Sequence, residues 1–434
     1  LATSNGVCIS TDGIAVSPWK PFIGADKAVI VDSKGQEHDV ECLLGANEIY
    51  DIAKFQVSGK TAAAPLATTV SAGDEVWLTP ILKSGNAEKA NVTSVEKFMD
   101  RYNYAILSSS ATDKMNGVPV FDKKGQVIGL YNKSGDSQSS TDANYAKDFV
   151  LKGLSQNDIT LRQSDIRIGL PNTLEEAVVA LMLSSEKPAN IHEAIVNEFI
   201  TKFPQSNDGY YALANIQIAK GEVANADKTM QTAIGKVTAK DEAHYNFARL
   251  IYRNAFIPEF EEKAKAIGWT LDKALDEIQK AQSAKANDAY RHLQAQITYA
   301  KGDYAKAYTD FEALTKTKFN NPELYLEMAQ SRQHLGGTDQ EILDLLNKSI
   351  ELCDTPYVST SAPYFYTRGQ QLEKMGEYRK AVQDYYTYEY FNQGRLSAAF
   401  YYMREQCEVK GRMWQQALQD ILVASRLDPK EALY

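Results

Sequence analysis

Residues 6–26 read Gly6-Val-Cys-Ile-Ser-Thr-Asp-Gly-Ile-Ala-Val-Ser-Pro-Trp-Lys-Pro-Phe-Ile-Gly-Ala-Asp26. The Asp12-Gly13 pair stands between two short apolar runs, which predicts two strands joined by a tight turn. Similar short runs, broken by Gly, Ser and Asn, continue to about residue 155, as at 28–31 and 75–78. The first third of the chain is therefore predicted to be an all-β domain.

The same stretch resembles the opening of HtrA-type serine proteases, which have the trypsin fold. That family carries a Gly-Val strand, an Asp-Gly turn, a second strand with the catalytic histidine after it, and then Gly-Ala-Asp. This chain keeps the spacing but has Lys20 at the histidine position. Leu43-Leu-Gly45 and the segment after it resemble the family's aspartate region and place Asp51 at the triad aspartate. The resemblance implies a trypsin-like double β-barrel.

The third triad position is also changed. The family's nucleophile lies in Gly-Asn-Ser-Gly-Gly-Pro, and this chain has Lys114-Met-Asn116-Gly117-Val-Pro119 instead. Catalysis by the triad needs a hydroxyl, an imidazole and a carboxylate. An amide is not a nucleophile, and Lys114 replaces a glycine of the oxyanion hole. The resemblance thus predicts degenerate triad positions at Lys20, Asp51 and Asn116, no catalytic residue and no enzyme activity.

Two alternatives to a non-catalytic scaffold remain open. One is a peptidase with a displaced nucleophile, a serine near residues 108–110, with Lys20 as its base. The other is that the second half of the chain delivers substrates to a separate protease while the degenerate barrel serves as an assembly surface. A fold does not fix an activity, so the site residues must decide between these functions.

Composition narrows the possible partners and settings. A net charge of −9 and a pI near 5.3 argue against nucleic acid or an anionic membrane as a partner. No apolar run approaches the ~20 residues of a membrane span. The HtrA resemblance implies an exported, periplasmic or cell-envelope setting. Because residue 1 already lies just before the resembling strand, we expect a processed or trimmed chain whose signal peptide lies outside this sequence.

Metal and cofactor sites are not expected from the spacing of cysteines and histidines. The four cysteines have no CxxC spacing, and the five histidines are dispersed. Cys8 and Cys42 fall in adjacent predicted strands, so a disulfide and two free thiols are both open. The sequence does not give the oligomeric state.

The second half carries an internal repeat. Gly302, Gly376 and Gly411 each precede an alanine and then large residues, and Gly302 lies 34 residues before Gly336. This pattern resembles tetratricopeptide (TPR) repeats, in which stacked helix pairs form a superhelix. We predict a β domain at 1–155, a linker at 156–172 and an all-α TPR domain of about six helix pairs at 173–434. An insertion is expected near residues 255–269.

The first helix of each TPR pair lines a groove that takes a peptide or a partner helix. Residues three before and one after each small inter-helix position are predicted to face it. With Arg253, this gives the predicted groove: Tyr211, Asn215, Tyr245, Arg249, Arg253, His292, Gln296, Leu326, Gln330, Tyr366, Gln370, Tyr401 and Glu405. Since tyrosines and amides dominate this set, we expect a protein or peptide partner bound more through aromatic contacts than through charge.

Overall fold

The computed structural model describes residues 2–80 and 87–431. Their contacts divide the chain into two compact units, Leu1–Ile216 and Gln217–Tyr434. The first unit contains two antiparallel sheets followed by helices, and the second is helical. The predicted order, a β domain followed by an all-helical region, is confirmed.

The strands of the first unit form one open sheet and one closed barrel. The open sheet has five strands in the order β1-β2-β5-β4-β3, and the barrel has six in the order β10-β11-β8-β7-β6-β9. The strands are β1 Val7–Cys8, β2 Ile14–Ser17, β3 Val29–Val31, β4 Glu37–Asn47, β5 Ile52–Val57, β6 Glu75–Leu78, β7 Glu88–Phe98, β8 Tyr102–Ser108, β9 Pro119–Phe121, β10 Val127–Ser134 and β11 Ser137–Thr141. Only the second of the two predicted barrels is therefore closed in the described residues.

The open sheet is covered at β4 by a later segment. The Leu43 N–H donates to the Arg167 carbonyl at 2.8 Å, and the Gly169 N–H donates to the Leu43 carbonyl at 2.9 Å. These bonds satisfy backbone groups that a sheet edge would otherwise expose.

Aromatic side chains fill the space between the open sheet and the barrel. Tyr50 stacks on Phe98 with ring centroids 4.2 Å apart, and Tyr145 packs edge-on against both rings. Ile52 and Tyr102 belong to the same buried cluster. Asp51, between Tyr50 and Ile52, is thereby held where the two sheets meet.

The helices follow the strands. A short helix, α1 Ala143–Lys147, closes the β domain. The others are α2 Leu174–Ser184, α3 Ala189–Lys202, α4 Asn207–Ala219, α5 Val223–Lys236, α6 Lys240–Asn254, α7 Glu261–Ala266, α8 Leu271–Ala284, α9 Asp288–Ala300, α10 Tyr304–Thr315, α11 Pro322–His334, α12 Asp339–Glu351, α13 Ala362–Lys374, α14 Tyr378–Phe391, α15 Ala398–Lys410 and α16 Trp414–Leu427. From α8 onwards each helix packs against the next, and α6 packs against α8. The short α7 lies in the predicted insertion.

Left-handed residues join the helices of five of the pairs. Gly221, Gly302, Gly336 and Gly376 have φ angles between 72° and 89°, a region that favours glycine because it has no Cβ. In the last pair this position belongs to Arg412, with φ 56°, and not to the predicted Gly411. The repeat register is thus shifted by one residue there.

The segment predicted as a linker packs against helices of its own unit. Arg167 forms an ion pair with Glu198, the Leu170 carbonyl accepts from Lys202 Nζ at 3.1 Å, and the Leu170 side chain joins the core of α2 and α3. The contacts of this first compact unit extend to Ile216. The predicted boundaries at 155 and 172 remain predictions.

Candidate functional site

Lys20 and Asp51, which the sequence resemblance placed at the protease histidine and aspartate, lie side by side. The Lys20 backbone N–H donates to Asp51 Oδ1 at 2.9 Å, and its Nζ lies 3.6 Å from Oδ2. The Lys20 side chain is 75% exposed, so this ion pair contributes little to stability. The Asp51 carboxylate therefore anchors the backbone of the Lys20 loop.

Asn116, at the predicted nucleophile position, forms hydrogen bonds with Lys133 near the end of β10. Its Oδ1 accepts from the Lys133 N–H at 2.7 Å, and its Nδ2 donates to the Lys133 carbonyl at 3.4 Å. The next residue, Gly117, has φ 83°, and a Cβ there would lie 2.4 Å from the Asn5 carbonyl oxygen. The amide and the glycine together hold this loop against its neighbours.

The backbone N–H groups of this loop are already used. A single 3-10 turn covers Asp113–Met115, and the Asn116 N–H donates to the Asp113 carbonyl at 3.0 Å. The Met115 N–H likewise donates to the Thr112 carbonyl at 3.0 Å. An oxyanion hole needs backbone donors aimed at the substrate oxygen, and in this conformation these donors point into the turn.

The serines considered as displaced nucleophiles contact a carboxylate. Ser109 and Ser110 donate to Glu88 Oε1 at 2.7 Å and 2.9 Å. In residues 2–80 and 87–431, none of the serines at 108–110 hydrogen-bonds a lysine or a histidine. The structure does not bring Lys20 into hydrogen-bond contact with them.

Little space remains beside Asp51. The cavity there has a volume of about 10 Å³ and is lined by Pro18, Tyr50, Asp51, Ile52, Leu130, Tyr131, Asn132 and Thr141. This volume holds at most one water molecule. The cavity cannot admit a substrate side chain in this conformation.

The tyrosines of the predicted groove have different environments. Tyr245 stacks on Tyr290 at 4.8 Å, and Tyr211 is half-buried. Tyr366 packs among Tyr385, Tyr388 and Phe400. The buried Tyr401 donates to Glu389 Oε1 at 2.8 Å. Tyr401 is thus buried among helices and Tyr366 is half-buried among other rings, and their place in the groove remains a prediction.

Most polar members of the predicted groove are more accessible than these tyrosines. The exceptions are His292 and Gln296, which contact α11. Three of the polar members are exposed: Asn215, Arg253 and Gln370. Three other polar members are half-buried, Arg249, Gln330 and Glu405, as is the apolar Leu326. Whether these residues bind a partner remains a prediction.

His292 and Gln296 on α9 contact the same carboxylate on α11. His292 Nε2 lies 2.6 Å from Glu327 Oε2, and Gln296 Nε2 donates to Oε1 at 2.7 Å. Burial lowers the pKa of His292, but the hydrogen bond and charge of Glu327 outweigh burial, so the pKa lies above its ordinary value. Glu323 lies nearby on the same helix as Glu327. One ligand atom each from His292, Glu323 and Glu327 lies within 4.8 Å of the other two.

Two tyrosines from neighbouring helices flank these side chains. Burial, and then the charge of Glu323, raise the pKa of Tyr364 on α13 to about 12. Burial, and then the charge of Glu327, also raise the pKa of Tyr252 on α6 above its ordinary value. The sequence spacing found His292 and Gln296 but missed both glutamates and both tyrosines. Carboxylates four residues apart on α11 are the signal that was available.

The second unit also contains a larger cavity. It has a volume of about 740 Å³ and is lined by Tyr357, Ser359, Tyr386, Glu389, Tyr390, Phe391, Gln393 and Gly394. Glu389 in its wall already accepts from Tyr401 and Arg404. The predicted groove residues do not line this cavity.

All four cysteines are free thiols, which answers the open question about Cys8 and Cys42. Burial raises the pKa of the Cys42 thiol to about 12, which keeps it protonated and unreactive at neutral pH. In the described part of the chain, no helix has the length and apolar character needed to cross a membrane.

Comparison with solved structures gives a partial likeness. No family model matches the sequence, and no curated protein matches it. Among solved structures, the chain is similar to the HtrA-type protease AlgW with decapeptide, at 16% identity and a TM-score of 0.29. The match covers 33% of this chain and 48% of that one, so this chain spans about half of the matched structure. A likeness of this extent does not assign a family.

Proposed function

We propose that the chain is a non-catalytic scaffold, an inactive serine-protease-like domain fused to a TPR array that binds a protein or peptide. The setting proposed with it is exported and associated with the cell envelope. Three observations support this proposal: the sequence resemblance, the contacts of the residues at the protease-like positions, and the packing of the helices.

The observation that carries the proposal is the bonding of Asn116. Its side chain is bonded to the backbone of Lys133, and its N–H donates to the Asp113 carbonyl. A nucleophile position would need a hydroxyl facing a base, and the adjoining N–H groups would need to face the substrate. Losing the nucleophile alone removes most of a triad's rate. The contacts of Ser109 and Ser110 with Glu88 also favour the scaffold over a peptidase with a displaced nucleophile.

The binding half of the proposal rests on the helix pairs and their left-handed turns. Helices stacked in this way present the first member of each pair along one surface. Arg253 and Gln370 lie on two such helices, α6 and α13, and both are exposed. Since they are accessible, they are better probes of a groove than the packed Tyr366 and Tyr401.

Absence of catalysis is tested with a fluorophosphonate probe on the intact folded protein. We expect no labelled serine and no hydrolysis of a casein or peptide substrate. Stoichiometric labelling of any serine in residues 100–116 would overturn the scaffold proposal and support the displaced nucleophile.

Binding is tested by cross-linking partners to the intact chain in its source cells and measuring their affinity for purified variants. The double variant Arg253→Ala, Gln370→Ala should bind the partner with at least tenfold lower affinity, an effect typical of interface anchors. The matched control is Lys228→Ala with Lys380→Ala, on the exposed faces of the second helices α5 and α14. If the control weakens binding and the first pair does not, the partner lies outside the predicted groove.

A further inference from the structure

His292, Glu323 and Glu327 form a compact set of metal-ligating side chains. One ligand atom from each lies within 4.8 Å of the other two. Zinc binds imidazole nitrogen at about 2.0–2.1 Å and carboxylate oxygen at about 2.0–2.2 Å, so ligand atoms around it stand roughly 3.3 Å apart. His292 Nε2 and Glu327 Oε2 would separate slightly from 2.6 Å, and the exposed Glu323 would rotate inward.

The surroundings hold two of the three ligands in place. His292 is 8% exposed and packs against the rings of Phe311 and Phe319, with centroids 5.9 Å and 5.3 Å away. The Gln296 amide donates to the second oxygen of Glu327. An outer hydrogen bond of this kind orients a ligating carboxylate and strengthens metal binding. The imidazole and one carboxylate are therefore positioned before any ion arrives.

The charges of the set also suit a divalent cation. In residues 2–80 and 87–431, no lysine or arginine forms an ion pair with Glu323 or Glu327. A divalent cation bound there would offset the charge of both carboxylates.

We propose that His292, Glu323 and Glu327 bind a divalent transition-metal ion such as Zn²⁺. Three protein ligands leave a further coordination position open, the arrangement of zinc sites that also bind water or a ligand group. The protease-like domain contributes no ligand to this metal site. His292 also belongs to the predicted groove but the exposed Glu323 does not, so the Glu323 variant separates this proposal from the scaffold proposal.

The second unit contains another histidine–glutamate pair, His244 and Glu277, which serves as a control because it is not suited to bind a cation. His244 Nδ1 lies 2.6 Å from Glu277 Oε2, the same separation as in the proposed site. Glu277 is also paired with Lys273 and Lys280, at 2.7 Å and 3.3 Å. These two lysines already balance the carboxylate and would repel a cation, so we expect no metal there.

The test is calorimetric titration of Zn²⁺ into the intact, metal-free protein. We expect one ion per chain, and at least tenfold weaker binding in Glu323→Gln and in His292→Gln. His244→Gln, the matched control, should bind Zn²⁺ as the natural chain does. Glu323 is exposed, so its variant should keep the fold even if His292→Gln does not.

Replacing Zn²⁺ with Co²⁺ distinguishes the ligands spectroscopically. Nitrogen and oxygen ligands give visible bands without the near-ultraviolet absorption of a cobalt–thiolate bond. The proposal is overturned if no stoichiometric binding occurs, if Glu323→Gln binds as the natural chain does, or if thiolate absorption places the ion on a cysteine. Partner affinity unchanged in these variants would leave the scaffold proposal standing.

Discussion

The protease-like loop around Asn116 and the cluster around Glu327 use polar side chains in opposite ways. Asn116 and Asp51 are bonded to backbone N–H groups of Lys133 and Lys20. Glu327 is bonded to side chains of His292 and Gln296, which lie on another helix. A polar group bonded to backbone fixes the shape of a loop, whereas side chains bonded to each other can exchange a partner for a ligand. Whether a polar side chain is bonded to backbone or to other side chains therefore distinguishes structural polar groups from candidate binding groups.

A third arrangement lies between α15 and α16. Arg404, with a side chain that is 2% exposed, forms two hydrogen bonds with Asp420 and one with Glu389. One repeat earlier, Arg368 makes the same bidentate contact with Asp384, but its side chain is 23% exposed. Both arginines lie 16 residues before their aspartates. The pair recurs with the repeat, and burial differs between its two copies.

The largest expected effect comes from removing the buried member of this recurring pair. Arg404→Met should lower the free energy of unfolding by about 3–5 kcal/mol, because the buried Asp420 would be left uncompensated and the half-buried Glu389 would lose its arginine. Arg368→Met is the matched control and should cost less, because Arg368 is 23% exposed and pairs with one carboxylate, Asp384, where Arg404 pairs with two. Chemical denaturation followed by circular dichroism measures both. Equal losses would show that burial does not separate structural from accessible charge clusters here.

The next effect depends on pH and concerns a carboxyl group near Arg404. Burial, together with the charge of Asp420, raises the pKa of Glu408 from 4.5 to about 7, against the hydrogen bond from Tyr386. The folded state then binds more protons than the unfolded state between these values, so stability falls as pH rises from 4.5 to 7.

Glu408→Gln should therefore stabilise the protein at pH 8, by about 3 kcal/mol. The gain should vanish near pH 4, where both side chains are neutral. Thermal or urea unfolding across this pH range measures it. A difference that does not change with pH would contradict the raised pKa.

A smaller effect is expected in the protease-like loop. Asn116→Ala removes the acceptor of the Lys133 N–H and should cost about 1 kcal/mol of unfolding free energy. Lys114→Ala, two residues away, changes an exposed side chain and should cost nothing measurable. Equal effects in urea unfolding would mean that the Asn116 amide does not anchor this loop.

The smallest effect is expected from restoring the triad residues. Lys20→His, Lys114→Gly and Asn116→Ser together should give no ordinary peptidase turnover, because the cleft beside Asp51 is filled and a displacement of about 1 Å can cost ~100-fold. A fluorogenic peptide assay measures this, with Lys20→His alone as the control. Robust turnover in the triple variant would show that the loop opens to form a working cleft.

Much of the fold was predictable because its signals are local. The Asp12-Gly13 turn, the short apolar runs of the strands and the repeated glycines before helices act over a few residues, and each appears in the structure. Lys20 and Asp51 were also expected together, since their spacing resembles a known fold. The shift from Gly411 to Arg412 escaped the pattern, because an arginine can adopt the left-handed conformation although glycine is preferred.

The sequence by itself determined the order of β and α regions and the turns between helices. The tertiary structure alone decided which sheet closes, that Tyr401 is buried, and that Glu323 and Glu327 meet His292. Helical spacing states which way a side chain leaves its own helix. It does not state what lies opposite, because that depends on how separate helices pack against each other. Contacts such as those of Glu327 with α9 therefore appear only once the chain is folded.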